Sequence, residues 1–262
     1  MPIQYLRKLT GKHRNQDANR HLGFMLAFVA GAINAGGFLA VHQYTSNMTG
    51  HVSEMADDLA LELYGPALAG LGMVLAFITG AACCAIMVNY SRRHRLHGEY
   101  AFPLLLEALL LLAFGLLGAQ FPHTNGQTIS IIAMLLGFIM GLQNAVITKI
   151  SHAEIRTTHV TGLITDLGIE LGKSLYWNRT SLKDHPPVTA NHPRIRLLGM
   201  LALSFFLGGV VGALGFKHLG YISTVPLAIL LIALALPHVA DDALALLHPN
   251  DHDDPLHPKR MK

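Results

Sequence analysis

The sequence predicts an all-α polytopic membrane protein: six transmembrane helices in two inverted three-helix repeats, each with a short amphipathic helix after its first span. Three observations predict it. The chain is 52% hydrophobic and only 13% charged over 262 residues, and its apolar residues gather in windows of about 20, the length that crosses a hydrocarbon core of about 30 Å. The stretch at 44–60, YTSNMTGHVSEMADDLA, returns in altered form at 156–172 as RTTHVTGLITDLGIELG, the mark of an internal repeat. Lys and Arg fall almost entirely in alternate connections, which sets orientation and parity.

In chain order, residues 1–21 form a basic segment with Arg7, Lys8, Lys12, Arg14 and Arg20 that reads as cytoplasmic. The first membrane repeat covers 22–120. Its opening window, 22–41, is longer than a usual signal core and holds Gly31 and Asn34, which recur as Gly141 and Asn144 at a shift of 110; it therefore reads as a retained span. A polar turn, VHQYTSNMTG, leads into the first amphipathic helix, and windows 66–88 and 101–119 follow, separated by Arg92, Arg93 and Arg95. The second repeat, 121–240, has windows 128–148, 195–216 and 220–240. Lys149, Arg156, Lys173, Arg179, Lys183, Arg194 and Arg196 lie between the first two, and only Lys217 lies in a connection of the other parity. Both termini are thus expected on the cytoplasmic side. The tail, 241–262, mixes His, Asp and Pro and reads as a disordered cytoplasmic end. Cys83 and Cys84 are adjacent within a span and read as packing residues.

At a shift of 112, Thr45, Ser46, Thr49, Gly50 and Ser53 fall on Thr157, Thr158, Thr161, Gly162 and Thr165. Glu54 falls on Asp166 and Asp58 on Glu170, while Val52, Met55 and Leu59 match Ile164, Leu167 and Leu171 along one helical face. Because three spans is an odd number, the second copy enters the membrane upside down. Inverted repeats of this kind build transporters whose solute path lies between the halves and is lined by interrupted helices. A hydroxyl before each TG suits an N-cap, with Thr49 and Thr161 as the capping residues. A helix start facing inward offers N–H donors and partial positive charge to a polar solute.

These considerations make Asn34, Ser46, Asn47, Thr49, Gly50, Asn144, Thr158, Thr161 and Gly162 the candidate substrate-binding residues. Glu54, Asp166 and Glu107 are the candidates for proton coupling. Glu107 lies about two turns inside its span, a depth at which an acid is functional unless it pairs with Arg92, Arg93 or Arg95. His51 and Glu54 have a spacing that suits metal ligands, but Leu163 and Asp166 replace them in the second copy, so no metal site is expected. Small residues at Ala27, Gly31 and Ala35, at Gly137 and Gly141, and at Gly208 and Gly212 allow close helix contacts. They place spans one and four face to face, with Asn34 across from Asn144.

The blocks AGAINAGGF, SNMTG, MGLQNA and TTHVTGLITDLG resemble the YoaK-type family of uncharacterised bacterial membrane proteins, a domain of unknown function, over about 22–240. The resemblance implies a six-span inner-membrane protein with no settled activity. Asn34 stands where the family often has an acid, and His51 where it usually has Asn, which weakens a proton-relay role for position 34.

The expected function is a small-solute transporter or permease with a polar site between the repeats, with proton coupling as an option. The alternatives are a non-transporting scaffold or lipid-interacting protein, whose amphipathic helices would lie flat on the membrane, and, less favoured, an intramembrane enzyme, for which neither HExxH nor GxSxG is present. No cofactor is expected. The expected partners are the bilayer and a small solute, with a homo-oligomer left open; the net charge of +3 follows from topology and calls for no nucleic acid.

Overall fold

A computed structural model describes residues 16–94, 96, 98–120, 126–150, 160–177 and 187–247. The described residues are helical with no strand: α1 (Gln16–Val41), α2 (Met48–Ala60), α3 (Tyr64–Arg93), α4 (Ala101–Gln120), α5 (Gly126–Ile150), α6 (Val160–Leu175), α7 (His192–Leu219), a 3-10 turn (Gly220–Ser223) and α8 (Thr224–Leu247). Among the described residues, five stretches are long and apolar enough to cross a membrane: Asn19–Val41, Tyr64–Arg93, Ala101–Gln120, Ser130–Lys149 and His192–Pro237. The fifth, 46 residues long, holds α7, the turn and most of α8. Gly220 makes the break: its φ of 62° is costly for any residue with a Cβ.

Helix α1 packs along α7, α3 along α5, and α4 along α8, while α1 also crosses α5. The short helices α2 and α6 lie against α3 and α7 respectively. Burial recurs in step with the sequence. From 22 to 39 against 132 to 149, the pattern of buried and partly buried positions is the same save at the last, and α2 agrees with α6 at a shift of 112 in all but two positions of 48–58.

Glycines set how closely the long helices approach. A Cβ on Gly31 would run into the Phe205 carbonyl, and one on Gly208 into the Phe28 carbonyl. At the other crossing, Gly141 meets the Phe77 carbonyl and Gly80 the Phe138 carbonyl. The glycine faces of α1 and α5 therefore do not meet each other, contrary to what the spacing suggested; Gly31 turns to α7 and Gly141 to α3. Where α1 and α5 do touch, Gln143 Nε2 donates to the Leu26 carbonyl at 3.3 Å.

On the short helices the apolar stripe points outward, with Val52, Leu59, Ile164 and Leu171 exposed, while His51 in α2 and Leu163 and Glu170 in α6 are buried. An apolar stripe pointing outward is stable where the surroundings are lipid. The N-cap of α2 is Asn47, whose Oδ1 accepts from the Gly50 N–H at 3.1 Å, and Thr49 sits in the first turn. An amide oxygen at the cap reaches the third N–H of the helix, and a Cβ at Gly50 would strike the same Asn47 side chain. The residue before Val160 lies outside the described residues, as does Thr158.

Candidate functional site

The connection from α1 to α2 is pinned at three points. Asn34 Oδ1, inside α1, accepts from the Ser46 N–H at 3.1 Å and from the Ser46 hydroxyl at 2.9 Å. Tyr44 stacks on Phe38 with ring centroids 4.5 Å apart. The Tyr44 carbonyl lies 3.2 Å from Nε2 of the buried His51. His42, at φ 57°, turns the chain out of α1 so that these contacts form.

This pinned connection walls one side of a cavity of about 830 Å³. From it and α2 come Tyr44, Ser46, Asn47, Met48, Thr49, Gly50 and Ser53; α1 gives Asn34 and α3 gives Phe77. The other half supplies Asn144 from α5, Val160 and Thr161 from α6, and Phe205 from α7. Four pairs match by repeat position: Asn34 with Asn144, Met48 with Val160, Thr49 with Thr161, and Phe77 with Phe205. The described lining offers amides, hydroxyls and phenyl rings and carries no Asp, Glu, Lys, Arg or His. The first turns of both α2 and α6 border the cavity, so their partial positive charge acts on its contents.

Seven of the candidate binding residues meet here: Asn34, Ser46, Asn47, Thr49, Gly50, Asn144 and Thr161. Gly162 lies next in chain but does not line the cavity, and Thr158 is outside the described residues. The lining also includes Tyr44, Met48, Ser53, Phe77, Val160 and Phe205, which the sequence reading did not name as binding residues. F-x-x-G occurs at 28–31 and 138–141 as well as at 77–80 and 205–208, so the pattern marks the helix crossings and does not by itself single out the two lining phenylalanines.

The candidate acids stand elsewhere. Glu54, with its side chain 68% exposed, lies 3.3 Å from His51 Nδ1 in a smaller pocket that shares Tyr44, Asn47 and Gly50 with the cavity. Asp166 pairs with Arg194 at 3.0 Å, its side chain 44% exposed. Glu107 is fully buried, and neither carboxyl oxygen has a hydrogen-bond partner among the described residues. Arg92 does not reach it, being bonded to Glu99 at 2.9 Å and to the Tyr100 hydroxyl at 2.7 Å.

Glu170 has a structural role that spacing alone did not reveal. One oxygen accepts from the Asn191 N–H at 2.9 Å and the other from Lys173 at 2.8 Å. Asn191 in turn caps α7 through the Arg194 N–H at 3.1 Å. The Asn191 N–H, and after it the Lys173 ammonium, hold this carboxyl below the usual carboxylate range.

Residues 22–236 match the family model described as "Protein of unknown function (DUF1275)". The chain belongs to this family. It is also 24% identical over 164 residues to the UPF0700 transmembrane protein YoaK of Bacillus subtilis (strain 168), a match covering 61% of this chain and 72% of that one. No solved structure matches. This DUF1275 member is thus a multi-pass membrane protein of an uncharacterised family, and the duplicated TG segments at its cavity lie within the matched range.

Proposed function

We propose that this protein carries a small polar solute across the bacterial inner membrane along a path between two inverted copies of a three-span unit. The observation that carries the reading is the cavity itself, to which both copies contribute the same four positions: Asn34 and Asn144, Met48 and Val160, Thr49 and Thr161, Phe77 and Phe205. A site built from matched residues on a pseudo-symmetry axis is what alternating access requires, since rocking one copy against the other exposes it first to one side and then to the other.

Six crossings fit the chain better than five. A 46-residue stretch as one helix would run about 69 Å at 1.5 Å per residue, whereas the Gly220 break yields two helices that pack on different partners. Exposed Tyr64 and Tyr176, matched at a shift of 112, suit the two opposite interfaces. The basic connections then put both termini in the cytoplasm. On this reading the protein is a carrier without catalysis, and Glu54 and Asp166 sit near the mouths of the path as the candidate acids for coupling.

The test is binding-induced thermal stabilisation of the purified protein across sugars, nucleosides, amino acids and small anions. A solute at 100 times its Kd raises stability by about 2.7 kcal/mol. Replacing Asn144 with Ala or Thr161 with Val should remove that shift. A shift that persists in both variants would count against the cavity as the binding site.

A further inference from the structure

We propose that Glu107 is a proton-binding site buried in the membrane bundle, apart from the cavity and present in only one of the two copies. This does not depend on the transport reading; it needs only that the chain spans a membrane.

Three observations converge. Glu107 lies six residues into α4, about 9 Å along the helix axis, with no exposed surface and with both carboxyl oxygens lacking a hydrogen-bond partner among the described residues. The other carboxyls weighed above are accounted for: Glu170 is bonded to Asn191 and Lys173, Asp166 pairs with Arg194, and Glu54 is exposed beside His51. Finally, the fold does not need an acid at this place. Helix α8 repeats α4 at a shift of 120, with Ala108 on Ala228, Leu110 on Leu230, Leu111 on Leu231, Ala113 on Ala233 and Leu116 on Leu236. On that register Glu107 falls on Leu227, which is buried in its turn. The same packing position takes a leucine in one copy and a carboxyl in the other.

An unpaired carboxylate in an apolar bundle is strongly disfavoured, so the group must acquire either a proton or a cation. Among the described residues, the titratable groups around it are few. On α3, Cys84 interacts electrostatically with Glu107 and with Lys149, which closes α5. On α8 the buried positions Leu227, Ala228, Leu231, Leu234 and Ala235 are apolar, and the buried Thr224 at its start, whose hydroxyl donates to the Tyr221 carbonyl at 2.9 Å, carries no titratable group. A metal ion would require several oxygen ligands, and among the described residues no cluster of three His, Cys, Asp or Glu side chains is placed to hold one. The proton is therefore the fitting ligand.

The test uses dicyclohexylcarbodiimide, an apolar reagent, on the full-length protein in native membranes. The O–H of a carboxylic acid adds across its C=N bond, so an ionised carboxylate does not react, and the adduct is located by peptide mass. We expect an adduct at Glu107 that the water-soluble carbodiimide does not form and that declines, by roughly tenfold per pH unit once ionisation sets in, as the medium is made alkaline. Glu107→Leu should abolish the adduct while keeping a monodisperse, folded protein, as Leu227 implies. Absence of the adduct in the folded protein, labelling indifferent to pH, or unfolding of Glu107→Leu would each overturn the proposal. Protection by sodium at constant pH would overturn it in favour of a cation site.

Discussion

Asn47 and Glu170 explain why the duplicated segment is polar where it is. Each holds backbone N–H groups at a helix start, Asn47 within α2 and Glu170 at the residue that caps α7. The sequence pattern located the start of α2 to within a residue or two but named Thr49 as the cap; both residue types cap well, and only the backbone geometry separates them. The part played by Glu170 was not legible, because its partner Asn191 is 21 positions away across a linker. Its chemistry makes a definite pH prediction. A carboxyl held below its ordinary value contributes stability above the unfolded value, about 4.3 for Glu, and loses that contribution as pH falls through the folded value. Thermal midpoints measured from about pH 6 down to about pH 3 should therefore fall more steeply for the wild type than for Glu170→Gln. Equal slopes would mean that the Asn191 and Lys173 contacts do not persist in solution.

Among the elements, close approach of the long helices depends on glycine. The spacing of four was visible in the sequence and marked which faces are small. It does not say which helix meets that face, so spans one and four were paired, whereas Gly31 lies on α7 and Gly141 on α3. The repeated F-x-x-G on α3 and α7 supplies the other side of each crossing. Gly31→Val or Gly141→Val should cost about 1–3 kcal/mol or more, since the added atoms meet backbone carbonyls that have little room to give. Gly168→Ala and Gly172→Ala, which face open space on α6, should gain about 0.5–1 kcal/mol from helix propensity. Thermal unfolding in one detergent compares all four, and a Gly31→Val variant as stable as the wild type would remove the close-packed crossing from this account.

Across the whole molecule, the helical class and the long apolar segments were readable from periodicity and composition, because these are properties of local sequence. The partnering of α1 with α7 and of α3 with α5 is a long-range outcome and was not. Outward-facing apolar residues on α3, such as Leu68, Leu75, Ile78 and Ile86, fit a lipid-facing surface, and only 22% of the hydrophobic window of that helix is buried. In the proposed carrier, Thr49 and Thr161, which line one cavity, face a single shared path. Single cysteines at these positions, introduced after Cys83 and Cys84 are replaced by Ser, can be exposed to a membrane-impermeant thiol reagent in intact cells and in inside-out vesicles. A shared path predicts that both positions can be labelled from the same side of the membrane, and that each protects the other when a bulky reagent is bound. Labelling of Thr49→Cys from one side alone and Thr161→Cys from the opposite side alone, with neither affecting the other, would contradict it.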